Sequence, residues 1–163
     1  MPATYDKIAT TTLSSAAASV TFSSISGSYT DLVLVCDPLS ALVDNIVIQY
    51  NGDTATNYSW TTIGGNGTTV SSVRGSNDSI PYVQYESGVS TTRSNVIINV
   101  MNYSNTTTYK TAICRGNNTS YGTDSTVVLW RSTSAITSIL LKQRGSNNFS
   151  SGSMFTLYGI LKA

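Results

Sequence analysis

The stretch Asp31-Leu-Val-Leu-Val-Cys36 decides the fold class of this chain. Its apolar side chains fall on both faces of an extended strand, which is typical of a strand in the middle of a sandwich. Pro38 ends this strand, because proline cannot donate to a sheet ladder. Similar β-branched and aromatic runs recur on both sides, bounded by Gly, Asn, Asp and Ser. This pattern indicates strands separated by turns.

About ten strands are predicted in this way. They cover residues 20–25, 31–36, 46–50, 58–63, around 70–73, 82–85, 95–101, 109–114, 126–130, 136–141 and 154–161. No window carries apolar residues at helical spacing, so no helix is expected. Asn51-Gly52-Asp53 predicts a tight turn, since Asn and Gly tolerate positive φ. Polar loops are expected over most of 64–79 and over 116–123, and the strands at 126–130 and 136–141 are expected to be neighbours.

The number and spacing of these strands predict an all-β, single-domain sandwich of jelly-roll type spanning residues 1–163. The sequence leaves open whether residues 1–12 form an extended arm or an edge strand. Cys36 and Cys114 lie in predicted strands. They are expected to be buried free thiols, the alternative being a disulfide if the fold brings them together.

The composition argues against catalysis. The chain has 26 Ser, 24 Thr and 13 Asn, no His, and only 10% charged residues. Without histidine, Ser-His-Asp and Cys-His catalytic arrangements are impossible in one chain, and zinc sites lose their usual imidazole ligand. Most aspartates occupy turn positions, and no calcium-loop pattern occurs. We therefore expect no catalytic residues, no metal and no cofactor.

The charge pattern argues against two kinds of partner. The net charge is +1 and the charges are scattered, so no basic cluster is available to neutralise a run of phosphates. No apolar stretch approaches the roughly 18 residues that span a bilayer. The start Met1-Pro-Ala-Thr-Tyr-Asp-Lys7 lacks the basic and apolar regions of a secretory signal. We expect neither a nucleic-acid partner nor a membrane, and synthesis in a cytoplasm.

Aromatic residues in or beside the predicted polar loops are candidate interface or ligand-facing groups. They are Tyr58, Trp60, Tyr82, Tyr85, Tyr103 and Tyr121. Exposed aromatics can anchor a protein interface or stack on sugar rings. An interface fits the group better, because sugar sites usually add carboxylates and these are scarce here. The alternative is that each ring caps the end of the sandwich with its hydroxyl in water.

Three stretches of the chain form a combination that is similar to a known group of proteins. They are Val20-Thr-Phe-Ser-Ser-Ile25 with Tyr29-Thr-Asp-Leu-Val-Leu34, then Tyr50-Asn-Gly-Asp-Thr-Ala-Thr-Asn-Tyr-Ser-Trp60, and finally Gly152-Ser-Met-Phe-Thr-Leu-Tyr-Gly-Ile160 with the upstream Ile136-Thr-Ser-Ile139 and Asn148-Phe149. This combination resembles small β-sandwich virion structural proteins of tailed bacteriophages, over about residues 5–160. The resemblance implies a structural subunit of the phage particle and carries over no catalytic residue.

The motifs also have a physical interpretation. Phe22 and Ile25 are expected in the core, while Tyr29 braces the corner before the strand that begins at Asp31. Phe155 and Leu157 are expected to share a face of the closing strand. Tyr158 then points outward, and Gly159 permits the close approach of a neighbouring backbone or ring.

Three functional hypotheses follow. The first is a non-enzymatic capsid decoration (cement) protein in the virion, acting as a small homo-oligomer, a trimer, with the major capsid protein as partner. The second is a tail or tail-fibre component, in contact with other tail proteins, whose loops 64–79 or 116–123 meet a host receptor. The third is a carbohydrate-binding module built from Trp60, Tyr82 and Tyr121.

Overall fold

The computed structural model describes residues 4–161, and all of its regular elements are β-strands. In chain order these are β1 (Tyr5–Thr12), β2 (Ser19–Phe22), β3 (Asp31–Asp37), β4 (Ile46–Tyr50), β5 (Tyr58–Gly65), β6 (Val70–Asp78), β7 (Ser94–Met101), β8 (Lys110–Asn118), β9 (Gly122–Trp130), β10 (Ile139–Gln143) and β11 (Met154–Ile160). No helix occurs among these described residues, and none could therefore cross a membrane. The all-β prediction is confirmed, with eleven strands instead of about ten.

The strands form two antiparallel sheets. The larger has eight strands in the order β1-β11-β3-β7-β8-β9-β5-β6, and the smaller has the order β2-β10-β4. Pro81 and Val83 extend the smaller sheet, because Ile48 N donates to Pro81 O (3.2 Å) and Val83 N donates to Ile46 O (3.0 Å). Strands β1 to β4 alternate between the two sheets, as do β10 and β11, which is the connectivity of a jelly roll. The larger sheet also contains four strands that are additional to the jelly roll, in the order β8, β9, β5 and β6.

Period-two alternation places one face of each sheet in a shared core. In β7 the side chains of Val96, Ile98 and Val100 are fully buried, as predicted. In β3 the inward Leu34 is fully buried and the outward Val33 is only 7% exposed, so this central strand buries apolar side chains on both of its faces. The pattern that decided the fold class is therefore confirmed.

The motif residues occupy the expected places in the core. Phe22 and Ile25 are buried, and so are Phe155 and Leu157 of the closing strand. Strand β11 lies between β1 and β3, so it is paired along both sides.

The turn after β4 follows from its sequence. Asn51 and Gly52 both have positive φ, at 54° and 67°, and Asp53 N donates to Tyr50 O at 2.9 Å. The predicted tight turn is confirmed. It directs the chain from the smaller sheet into β5 of the larger one.

Both predicted polar loops are wrong over most of their length, whereas the strand predicted around 70–73 is confirmed as part of β6. Strand β5 runs on to Gly65 and β6 is a nine-residue strand, so only 66–69 are left as a loop. Strand β8 runs to Asn118 and β9 starts at Gly122, which leaves a three-residue turn. These polar segments form strands because the neighbouring backbone satisfies their N–H and C=O groups, whatever their side chains.

Two further strand predictions are corrected. Residues 82–85 form only an isolated bridge between Tyr82 and Val47, and not a full strand. Strands β9 and β10 are not neighbours, because they belong to different sheets. Ile136 is buried ahead of β10, where its N–H donates to Tyr103 O at 2.9 Å, and the chain uses the segment 131–138 to cross between the sheets.

Of the two structures left open for the start of the chain, Tyr5–Thr12 form an edge strand and not an extended arm. This strand pairs with β11. Residues 1–3 of the predicted segment lie outside the described residues. Cys36 and Cys114 are free and fully buried, and burial raises the pKa of Cys36 to about 12. The expectation of two buried thiols is confirmed.

Candidate interaction surface

Three of the six candidate aromatics are core residues, which corrects their interpretation as contact groups. Tyr58 and Tyr103 are fully buried and Trp60 is 6% exposed. Their polar atoms have partners inside the fold. The Tyr58 hydroxyl accepts from Tyr50 N (3.0 Å), and the Tyr103 hydroxyl donates to Ser26 O. The polar atoms of these rings can be buried because each forms a hydrogen bond with another group inside the fold.

The other three candidates are more accessible but do not form one surface. Tyr82 and Tyr85 are half-buried against Trp60, with ring centroids 4.8 and 5.7 Å from the indole. The Arg144 guanidinium lies 4.9 Å from the Tyr82 centroid. Tyr121 is 44% exposed in the β8–β9 turn and has no aromatic neighbour among the described residues. Tyr121 alone remains available for contact.

Two aspartates hold the indole N–H groups of the core. Asp53 Oδ2 accepts from Trp130 Nε1 at 2.7 Å, and Asp78 Oδ2 accepts from Trp60 Nε1 at 3.1 Å. Burial opposes the ionisation of both carboxyls. The hydrogen bonds that each one accepts outweigh this, aided at Asp78 by Arg144, so the pKa of each lies below its ordinary value. Both side chains are part of the framework and not free groups in a cleft.

The larger sheet leaves one broad face uncovered, and its β8-β9-β5-β6 half is the candidate interaction surface. Alternation turns every second side chain of these strands outward. We call these sixteen residues the outer patch: Thr111, Ile113, Arg115, Asn117, Thr123, Ser125, Val127, Leu129, Ser59, Thr61, Ile63, Gly65, Val70, Ser72, Arg74 and Ser76. Five are aliphatic, two are arginines, none is acidic, and eight are hydroxyl or amide residues.

Four of the five aliphatic members of the outer patch are well exposed, and Leu129 is half-buried. Ile63 is 61% exposed, Val127 47%, Ile113 40% and Val70 84%. Ile113 and Val127 are directly opposite one another on β8 and β9, so they form a continuous apolar strip. Exposed apolar groups arranged contiguously on a sheet face mark a contact surface more than scattered ones do.

A depression of about 450 Å³ interrupts the outer patch beside this strip. Its walls include Ile63, Val70, Arg115 and Thr123. It exists because Gly65 has no side chain to fill the space between β9 and β6. A partner side chain of moderate size would fit there, next to one guanidinium group.

The acidic side chain nearest the outer patch points the other way. Asp124 is 4% exposed, and its Oδ2 accepts hydrogen bonds from the backbone N–H groups of Tyr85 (2.9 Å), Glu86 (2.8 Å) and Ser87 (2.9 Å). The Ser87 hydroxyl donates to the same oxygen at 3.1 Å. Asp124 therefore fastens the 85–87 segment beneath β9, and its charge is not offered to the outer patch.

The outer patch was missed from the sequence because five of its sixteen residues lie in segments predicted as loops, namely Gly65, Arg74, Ser76, Asn117 and Thr123. The outward positions of Arg74 and Ser76 follow only once β6 is known to run to Asp78. The available signal was the two-residue spacing of Ile113 and Arg115 and of Ser125 and Val127. Residues at this spacing lie on the same face of a strand, as they do in the better-defined strands.

No family model matches the chain, and no curated protein matches it. Among residues 4–161 no group of three or more Cys, Asp or Glu side chains is placed to hold a metal ion. What the outer patch offers chemically is apolar contact, hydroxyl and amide hydrogen bonds, and two guanidinium groups.

Proposed function

We propose that this protein is a non-enzymatic structural subunit of a tailed-bacteriophage virion, and specifically a decoration (cement) protein that stabilises the capsid shell as a small homo-oligomer, a trimer. The observation that carries the proposal is the outer patch, a broad sheet face rich in aliphatic and hydroxyl side chains. The resemblance of the three sequence motifs to virion proteins supports the same function.

The size of the uncovered sheet face suits such a function. The eight strands of the larger sheet, spaced about 4.8 Å apart with about eight residues rising 3.4 Å each, span roughly 1,000 Å², and the outer patch is about half of this face. A standard protein interface buries about 800 Å² on each partner. One face of this subunit can therefore cover a joint between shell proteins while the rest of the molecule contacts its own copies.

The mechanism is mechanical. A subunit that spans two shell proteins buries surface on both, so separating them requires that surface to be exposed again. Each Å² of apolar surface returned to water costs about 25 cal/mol, and many copies act on one shell. The rigid double-sheet core keeps the contact residues in fixed positions.

The two alternative functions lose support from the geometry. The tail hypothesis relied on long loops at 64–79 and 116–123, and these residues are mostly strands with short turns. The carbohydrate hypothesis needs a free indole face, yet Trp60 is 6% exposed and its ring lies stacked beneath that of Tyr85. Neither is favoured by a specific feature of the described residues.

The test is to produce particles of the source phage from which the gene for this chain has been deleted. We expect these particles to release their DNA at lower temperature or milder osmotic shock than wild-type particles, and added purified protein should restore resistance. Equal resistance of the two particles would disprove cementing. Reconstruction of the wild-type particle should place the chain on the capsid, and a position on the tail would contradict the capsid assignment.

A further inference from the structure

We propose that the outer patch docks onto a different protein that presents carboxylate groups flanked by apolar side chains, and that Arg115 and Arg74 are the residues that recognise those carboxylates. This inference rests on the proposed function, and it names the chemistry of the shell surface that the subunit covers.

The first argument is charge complementarity. Arg115 and Arg74 are exposed, and neither side chain forms a hydrogen bond or ion pair with any part of the chain within residues 4–161. The other three arginines are all engaged: Arg93 with Asp37, Arg144 with Asp78, and Arg131 with Thr56 O at 2.8 Å and Asn77 Oδ1 at 3.0 Å. The outer patch thus carries two unpaired guanidinium groups and no acid.

The second argument identifies the partner as a different protein and not a second copy. All eight side-chain carboxylates of the chain lie within residues 4–161, and each accepts a hydrogen bond from the chain itself. They are Asp6, Asp31, Asp37, Asp44, Asp53, Asp78, Glu86 and Asp124. A second copy that docks through its own outer patch brings two more guanidinium groups and no carboxylate to Arg115 and Arg74. A partner that presents acids on its contact surface complements the patch.

The third argument is the surrounding apolar surface. Arg115 faces Ser125 across the β8–β9 ladder, and the aliphatic residues Ile63, Ile113 and Val127 lie around this position. A partner that covers these side chains excludes water from the guanidinium. Hydrogen bonds between charged groups are stronger in that setting, and arginine can bind a carboxylate through two parallel N–H groups.

The spacing of the two arginines sets the geometry of the complementary surface. Arg74 lies on β6, three strands from Arg115, and one side-chain repeat further along the sheet. Strand spacing and rise place their Cα atoms roughly 16 Å apart. Two carboxylates at this separation, with an apolar zone between them, are the predicted partner feature. Two isolated cations separated by aliphatic residues are better suited to binding a protein than a nucleic acid. Binding a phosphate backbone requires more closely spaced Lys or Arg side chains.

The experiment measures binding of the purified full chain to particles that lack it, by co-sedimentation and occupancy. The variants are Arg115→Glu and Arg74→Glu. The matched control is Lys142→Glu, which makes the same change in charge on the smaller sheet, at a lysine whose side chain has no hydrogen-bond partner among the described residues. We expect each arginine variant to weaken binding at least tenfold and Lys142→Glu to bind within about twofold of wild type, since losing a buried charge pair has a large effect on affinity. All three should melt like the wild type.

The possible outcomes separate this inference from the proposed function. If wild type and all three variants bind equally, the subunit is a virion protein but the outer patch is not its docking face. If wild-type protein does not bind the particles, both proposals fail. Sedimentation of the free chain measures its oligomeric state. A change of that state in Arg115→Glu but not in Lys142→Glu would show that the outer patch joins copies of this chain. That result would overturn the assignment to a different protein. Wild-type binding to a DNA oligonucleotide that Arg115→Glu abolishes would overturn it too.

Discussion

The phenol ring of Tyr29 lies directly against the backbone of Gly159, and the gap between them has no room for a side chain. A Cβ atom at Gly159 would overlap three ring carbons of Tyr29. The Tyr29 hydroxyl donates to Asp6 Oδ2 at 2.7 Å, so the ring crosses β11 and is anchored on β1. The predicted close approach at Gly159 is confirmed, and so is the bracing of the corner by Tyr29.

Replacing Gly159 with alanine should therefore destabilise the fold. The added methyl group must push the ring aside or bend β11, and overpacking of this kind costs about 1–3 kcal/mol. For a chain of this size, we expect the melting temperature to fall by roughly 3–10 °C in a thermal scan. The control is Gly27→Ala, whose Cβ would meet only Ser104 Cβ at an ordinary 3.6 Å. Equal melting temperatures for Gly159→Ala and wild type would show that the contact is loose.

Removing the carboxylate of Asp124 should be the most destabilising polar change in the larger sheet. Asp124→Ala leaves three backbone N–H groups, of which that of Ser87 is buried, and the Ser87 hydroxyl without their acceptor. We expect a loss of about 3–5 kcal/mol in the free energy of unfolding, measured by urea denaturation. Ser125→Ala, the next residue and on the outward face, should change it by less than about 0.5 kcal/mol. A loss below about 1 kcal/mol in Asp124→Ala would mean that water replaces the carboxylate.

Stability should not change between about pH 5 and 8 and should fall in acid. The chain has no histidine to titrate in that range. Asp53 and Asp78 have pKa values below the ordinary 3.8. A carboxyl with a depressed folded-state pKa stabilises the fold above its unfolded-state pKa, and this contribution disappears as the pH falls through the folded-state value. Unfolding free energies should thus begin to decrease below about pH 4.

The double variant Asp53→Asn, Asp78→Asn tests the source of this acid sensitivity. It should be less stable than wild type at neutral pH, with a shallower decline below pH 4, because two of the responsible carboxylates are gone. A steep loss of stability between pH 5 and 8 in the wild type would contradict the interpretation. Shell binding through Arg115 and Arg74 should also be constant over that range, since arginine stays charged and ordinary carboxylates stay ionised.

The two thiols should be unreactive in the folded protein. Burial raises the pKa of Cys36 to about 12 and also raises that of Cys114, so almost no thiolate forms near neutral pH. A thiol reagent such as DTNB near pH 8 should label neither residue until denaturant is added, and then both. An exposed cysteine introduced by Tyr121→Cys should react at once and serves as the positive control. Rapid labelling of the native wild type would show that the core opens readily.

The sequence predicted those parts of the fold in which side chains determine the structure. Strand β7 was identified because Val96, Ile98 and Val100 alternate with polar residues, and that alternation directly reflects burial. Strand β6 was mostly missed, because Ser, Gly, Asn and Asp residues give no such signal. Its structure comes from backbone pairing with β5, which depends on tertiary contact.

The same reason explains the errors among the aromatic residues. Local sequence placed Trp60 and Tyr103 beside polar loops, which suggested exposure. Their partners, Asp78 and Ser26, are 18 and 77 residues away in the chain, and a window of sequence does not reveal such pairings. The outer patch was hidden for a related reason, since a surface formed by four strands appears only when their order in the sheet is known.

The position of β11 between β1 and β3 has a consequence for how the protein folds. Tyr5 pairs with Ile160, and Phe155 pairs with Cys36, so the centre of this part of the sheet is filled by β11, which is synthesised after the other ten strands. Until β11 arrives, β1 has no neighbour and one edge of β3 stays open. Pairings between residues so distant in sequence make folding slow and leave open edges exposed to aggregation. Native structure should therefore form only after the complete strand has left the ribosome, with chaperones protecting the open edge of β3 until then.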